Sequence, residues 1–97
     1  MTKLSAIKKI LRDQKETLRE RYHVQRIGIF GSWVRGDTHS GSDVDVLVEF
    51  SDPVSLLQLV SLENYLTGVV GIKVDVVPRD DIRRELRDSI LREAVYL

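Results

Sequence analysis

Residues 31–36 read Gly31-Ser32-Trp33-Val34-Arg35-Gly36, and after a polar loop over 37–42 the chain continues Asp43-Val44-Asp45-Val46-Leu47-Val48-Glu49-Phe50. Over 44–50 the alternation predicts a strand with Val44, Val46, Val48 and Phe50 on one face and Asp45, Leu47 and Glu49 on the other. Upstream, 24–30 is a short β-branched run closed by Gly31, which predicts a preceding strand. Residues 31–36 then form a turn that opens at most one short helical segment. Still earlier, Leu4, Ile7, Leu11 and Leu18 recur at helical spacing, predicting one helix from residue 3 to about 21. Downstream, Ser51-Asp52-Pro53 predicts a helix start, with a capping side chain and then proline at the first helical position. That helix runs through Leu56, Leu57, Leu59, Val60, Leu62 and Leu66 and is expected to stop at Gly68. A third strand is expected over 72–77, with Ile72, Val74 and Val76 on one face and Lys73, Asp75 and Val77 on the other, ended by Pro78. A last helix from Asp80 or Asp81 carries Ile82, Leu86, Ile90 and Ala94 as its apolar stripe. A helical crossover makes strands two and three parallel, and the tight connection makes one and two antiparallel. The expected class is α/β (α+β): a small mixed sheet of about three strands with helices packed on its apolar face.

A chain of 97 residues suits one compact domain with one core. It has no cysteine, so disulfides, thiolate metal sites and Cys nucleophiles are excluded, and a reducing compartment fits. No apolar run approaches the ~20 residues of a membrane span. Residues 1–4 lead into charged residues and not into a signal-peptide apolar stretch. A cytoplasmic protein without a membrane partner is expected. Fifteen basic residues balance fifteen acidic ones, and a neutral chain lacks the global field of a dedicated nucleic-acid binder.

Asp43 and Asp45 lie two apart, so both leave the strand on the same side, with Cα atoms about 6.7 Å apart. The valines leave on the other side, into the core. Asp75 repeats the pattern between Val74 and Val76, in a strand where Asp is a poor fit. If the two strands are neighbours, three carboxylates gather on one side of the sheet. Three such charges repel unless cations hold them, and hard oxygen ligands suit Mg2+ or Mn2+. Upstream, Gly31 permits close backbone approach, a turn's amides cradle an anion, and the Ser32 hydroxyl adds a donor. Arg35 has the reach and the fork for phosphate, or for fixing the loop by pairing with an acid such as Asp37.

The run from Gly31 to Gly36, the Ser42-Asp43-Val44-Asp45 segment and the later Asp75 together resemble the signature of the DNA polymerase beta-like nucleotidyltransferase superfamily. Within it, the chain is similar to the minimal nucleotidyltransferase (MNT) proteins, the antitoxin halves of HEPN/MNT toxin–antitoxin pairs. The likeness extends to the closing Ile90-Leu91-Arg92-Glu93-Ala94-Val95-Tyr96-Leu97. It implies the nucleotidyltransferase fold and a catalytic, metal-holding triad of Asp43, Asp45 and Asp75 around two Mg2+ ions, with Mn2+ as an alternative. Asp43 and Asp45 would bridge the metals, and Asp75 would act beside the attacking hydroxyl. Gly31 and Ser32 would hold the β- and γ-phosphates of ATP, with Arg35 and Ser42 as further nucleotide-binding residues. The implied reaction is transfer of AMP to a tyrosine of a HEPN ribonuclease toxin, in a hetero-oligomer with it.

Other residues have blander readings beside sharper ones. Trp33 either stacks on a base or packs at the sheet edge. His39 reads as a solvated loop residue and His23 as a helix-end residue. Arg79, Arg83, Arg84, Arg87 and Arg92 interleave with acids at i,i+4 spacing and read as a solvated face, or more sharply as a partner contact. Tyr65 and Tyr96 read as packing residues. Two functions compete: a protein-modifying transferase, and an antitoxin that works by binding alone. Transfer to a small molecule is a third, weakened by the lack of a further domain to hold it.

Overall fold

A computed structural model describes residues 3–39 and 41–97. Met1, Thr2 and Ser40, the last within the expected loop over 37–42, lie outside the described residues. Among the described residues, four strands form one sheet in the order β3-β2-β1-β4: β1 is Val24–Phe30, β2 Val44–Phe50, β3 Val74–Pro78 and β4 Val95–Tyr96. β1 and β2 are antiparallel, and β2 and β3 are parallel, with Asp45 directly opposite Asp75.

The first helix is two. α1 (Leu4–Asp13) and α2 (Lys15–Tyr22) meet at Gln14, whose φ of −95° and ψ of 0° break the run. Leu18 lies with Ile7 and Leu11 in the core on either side of the break, and all three are fully buried. His23 ends α2 in the left-handed region at φ 58°, and its N–H donates to the Leu18 carbonyl.

Residues 32–35 make the short helix α3 (Ser32–Arg35). α4 (Leu56–Val70) starts later than Pro53 suggests and ends beyond Gly68. Ser55 and Gln58 form a reciprocal capping box that satisfies two amide donors at the helix start. Val69 and Val70 carry the helix on to Gly71, whose φ of +82° ends it, as glycine readily does.

α1, α2 and α4 contribute to one large core on the face of Ile27, Ile29, Val44, Val46, Val48, Val74 and Val76. The opposite face is covered in part by the last helix, α5 (Arg84–Glu93), through a second cluster of Phe30, Leu47 and Ile82 with Ile90 and Leu91 against it. Ile82 is therefore not in the expected helix stripe. A 3-10 turn at Arg79–Asp81 and extended backbone at Ile82 drop that side chain onto the sheet, and Leu86 is left 52% exposed.

β4, absent from the expected three strands, adds to β1 through Gly28–Tyr96 and Ile29–Val95 pairing. At Gly28 a Cβ would lie 3.2 Å from the Val95 carbonyl oxygen, so a side chain there would crowd β4.

Candidate active site

The antiparallel turn from β1 to β2 and the parallel crossover from β2 to β3 bring the end of β1 beside the starts of β2 and β3. The side chains of Asp43, Asp45 and Asp75 meet at that end of the sheet. Asp45 holds a proton more tightly than an ordinary carboxyl, first because it is partly buried, then because Asp75 and Asp43 add negative charge. Asp75 is also raised, by burial and by the charge and hydrogen bonding of Asp43, against the opposing pull of Lys73. Lys73 Nζ lies 3.9 Å from Asp43 Oδ2 and 3.8 Å from Asp75 Oδ1, so one cation already spans two of the three acids.

Gly31 lies against this cluster. Its φ of 80° and ψ of −153° belong to glycine alone, and a Cβ there would lie 2.2 Å from Asp45 Oδ2. The same residue therefore makes the turn and makes room for the carboxylate. Ser32 begins α3, half-buried at the mouth of the turn.

Glu93 at the end of α5 is a site residue that the sequence did not point to. Its Oε2 accepts from the Gly31 N–H at 3.0 Å, and its Oε1 accepts from Arg35 Nη1 at 2.9 Å. Those partners are 62 and 58 positions away, so periodicity assigns the side chain to a solvated face. The only hint is its place in the closing run that carries the family likeness. Arg35 Nε also donates to Asp37 Oδ2 at 3.3 Å. The loop-fixing contact with Asp37 is present, and hydrogen bonding to Glu93, then to Asp37, raises the guanidinium's hold on its proton.

Ser42 folds back on its loop: its Oγ accepts from the His39 N–H at 2.8 Å, and its own N–H donates to the His39 carbonyl at 3.0 Å. Trp33 packs against the main core, as the edge-packing reading has it. Tyr65 bonds Gln14 and packs on Tyr22, and Tyr96 stacks under the Arg26 guanidinium.

Among the described residues, no three His, Cys, Asp or Glu side chains are drawn up as a ready metal cage. The donor chemistry nevertheless fits a hard divalent ion: every group is a carboxylate, and two of them are raised first by burial and then by neighbouring negative charge, which a cation would offset. A cleft of about 590 Å3 opens elsewhere, at the far end of β2 and β3. No helix among the described residues is long and apolar enough to cross a membrane.

Carboxylates on two adjacent parallel strands, facing a strand-ending glycine turn, form an arrangement suited to phosphoryl-transfer chemistry. The sequence matches the nucleotidyltransferase domain family over residues 11–97, and the chain belongs to that family, among its minimal members. The protein adenylyltransferase MntA of Thermococcus cleftensis is 43% identical over 97 residues, spanning 100% of this chain and 98% of that protein. A solved structure of a candidate minimal nucleotidyltransferase has a TM-score of 0.82 at 33% identity, covering 99% of this chain and 97% of that one. A solved toxin–antitoxin complex with AMP-PNP has a TM-score of 0.70 at 26% identity, covering 93% of this chain and 68% of the matched one.

Proposed function

We propose that this protein is an antitoxin that transfers AMP from ATP to a hydroxyl, with tyrosine as the leading acceptor, on a HEPN-type ribonuclease toxin in the cytoplasm. The observation that carries the reading is the meeting of Asp43, Asp45 and Asp75 beside Gly31. A protein that only binds a partner has no need to hold three repelling acids together. The MntA relative, a protein adenylyltransferase, and the toxin–antitoxin complex with AMP-PNP support the same reading.

In the reaction, the acceptor oxygen attacks the α-phosphorus of ATP. The new O–P bond forms as the bond from the α-phosphorus to the bridging oxygen breaks, and pyrophosphate leaves with that oxygen. Asp75, whose grip on a proton is strengthened by burial and by Asp43, is suited to help take the hydroxyl proton. Gly31 and Ser32 would receive the outer phosphates, with Arg35 holding the turn in shape through Asp37 and Glu93. Asp43, Asp45 and Asp75 would hold Mg2+, which when bound would neutralise charge on the phosphates.

A second reading, neutralisation by binding alone, is favoured by one observation: Gly31 and Arg35 are already engaged by Glu93. Incubating the chain with labelled ATP, Mg2+ and a HEPN-type partner protein separates the two. The transferase reading expects added AMP mass on the partner, lost in Asp43→Asn/Asp45→Asn. Full neutralisation without label, unaffected by that double change, selects the binder.

A further inference from the structure

In a chain that is 31% charged, α4 carries one charged residue in fifteen, Glu63. That carboxylate is turned toward the sheet, accepting from the Val76 N–H at 2.9 Å. The outer face is left with Leu56 at 76% exposure, Leu57 at 82% and Val60 at 42%, followed by exposed Ser61, Asn64 and Gly68. A helix apolar on both its inner and outer sides is normally covered on both. Depletion of charge around exposed leucines is the composition of an interface centre.

The start of α4 borders the cleft of about 590 Å3, to which Leu56 and Leu59 contribute. Four acids line the same cleft, Glu49, Asp52, Asp80 and Asp81, against one arginine, Arg79; Glu49 is paired with Arg26 at 3.5 Å and Asp52 lies 3.6 Å from His23, which leaves Asp80 and Asp81 as the acids that carry the rim's charge. In an isologous contact the facing patch would be the same face of a second copy, and α4 carries no lysine or arginine to meet these acids. The rim instead complements a basic surface of another protein. Ser61 and Gly68, both exposed, keep the outer face of α4 low.

We propose that the outer face of α4 is the docking track for a helix of a partner protein, with an apolar seam against Leu56, Leu57 and Val60 and lysines or arginines against the acidic rim. α4 starts at the cleft end and runs back, over about 22 Å at 1.5 Å per residue, to Gly71, two residues before Lys73 at the carboxylate cluster. Identifying this partner with the HEPN-type protein rests on the function proposed above.

The test measures complex formation with the purified HEPN-type protein by calorimetry and light scattering. Leu57→Lys and Leu56→Lys/Leu57→Lys are expected to weaken binding by about tenfold or more, the loss expected for an interface anchor. Asp80→Lys/Asp81→Lys should weaken it several-fold, with all three variants keeping wild-type melting and ATP binding. Asp43→Asn/Asp45→Asn should keep the complex. Wild-type affinity in the α4 variants overturns the proposal, as does a wild-type homodimer that Leu57→Lys dissociates. If the wild-type chain does not bind that protein, the partner named above is wrong, and an amphipathic Leu/Lys helix peptide decides the surface. Amide shifts confined to residues 56–60 and their rim then support the track; shifts elsewhere, or equal binding of a Leu/Glu peptide, overturn it.

Discussion

The Gly31 amide, at the turn next to the aspartate cluster, donates to the Glu93 carboxylate at 3.0 Å. An anion from the chain's own end thus sits where the proposed reaction needs a phosphate. Glu93→Gln keeps the shape but gives a neutral, more easily displaced acceptor and removes a charge that acts on Asp45. ATP affinity is expected to rise about three- to tenfold, since hydrogen bonds to charged groups contribute about 1.5–3 kcal/mol and neutral ones about half that. Calorimetry with ATP and Mg2+ checks it, and an unchanged or weaker affinity would show that the phosphates do not compete with Glu93.

Two glycines with nearly equal φ separate backbone strain from collision. At Gly36, with φ +81°, an added Cβ would meet nothing within 4 Å, whereas at Gly31, with φ +80°, it would meet Asp45 Oδ2 at 2.2 Å. Gly36→Ala is expected to cost about 1 kcal/mol from φ alone. Gly31→Ala should cost about 2–4 kcal/mol and abolish transfer by displacing Asp45. Thermal melts of both variants are the check, and equal losses would contradict the close packing at Gly31.

Asp45 and Asp75 both have raised proton affinity in the fold, above an ordinary value of 3.8. For a carboxyl raised by folding, stability is unaffected well below the unfolded pKa and is lost as pH climbs through the folded one. Both groups therefore cost stability at neutral pH. Asp45→Asn is expected to melt higher than wild type at pH 7 without divalent ions, while losing transfer. The gain should fade toward pH 3; a gain that persists or grows in acid contradicts the sign.

The start of α4 gives a direct test of its cap. Ser55→Ala removes the oxygen that accepts the Gln58 N–H and is expected to cost about 1 kcal/mol. Pro53→Ala, outside the helix, should change stability by less than about 0.5 kcal/mol. The reverse order in chemical denaturation would place the cap at the Ser51-Asp52-Pro53 segment.

Local pattern was enough for β1 and β2, whose boundaries follow from alternation and from Gly31. It also placed Asp43, Asp45 and Asp75 on the side of the sheet away from the valines, because a period of two leaves no other choice once Val44, Val46, Val74 and Val76 must be buried. Pairing Asp45 with Asp75 needed only the inference that a helical crossover makes neighbours parallel. Helix ends were less legible. Ser55 with Gln58, and Gly71 over Gly68, prevailed because hydrogen-bond pairing and the left-handed φ decide an end, and several residues of the right type stood close together.

What the sequence by itself determined is the set of strand faces, the glycine turn and the acids that must share one side. What tertiary structure decided is which distant groups meet them. Ile82 left its helix pattern to cover Phe30 and Leu47, β4 found the bare edge at Gly28, and Glu93 reached across the fold to Gly31 and Arg35. Periodicity reports which way a side chain leaves its own element. A contact made 62 residues away depends on how the elements pack, and only the assembled fold contains that information.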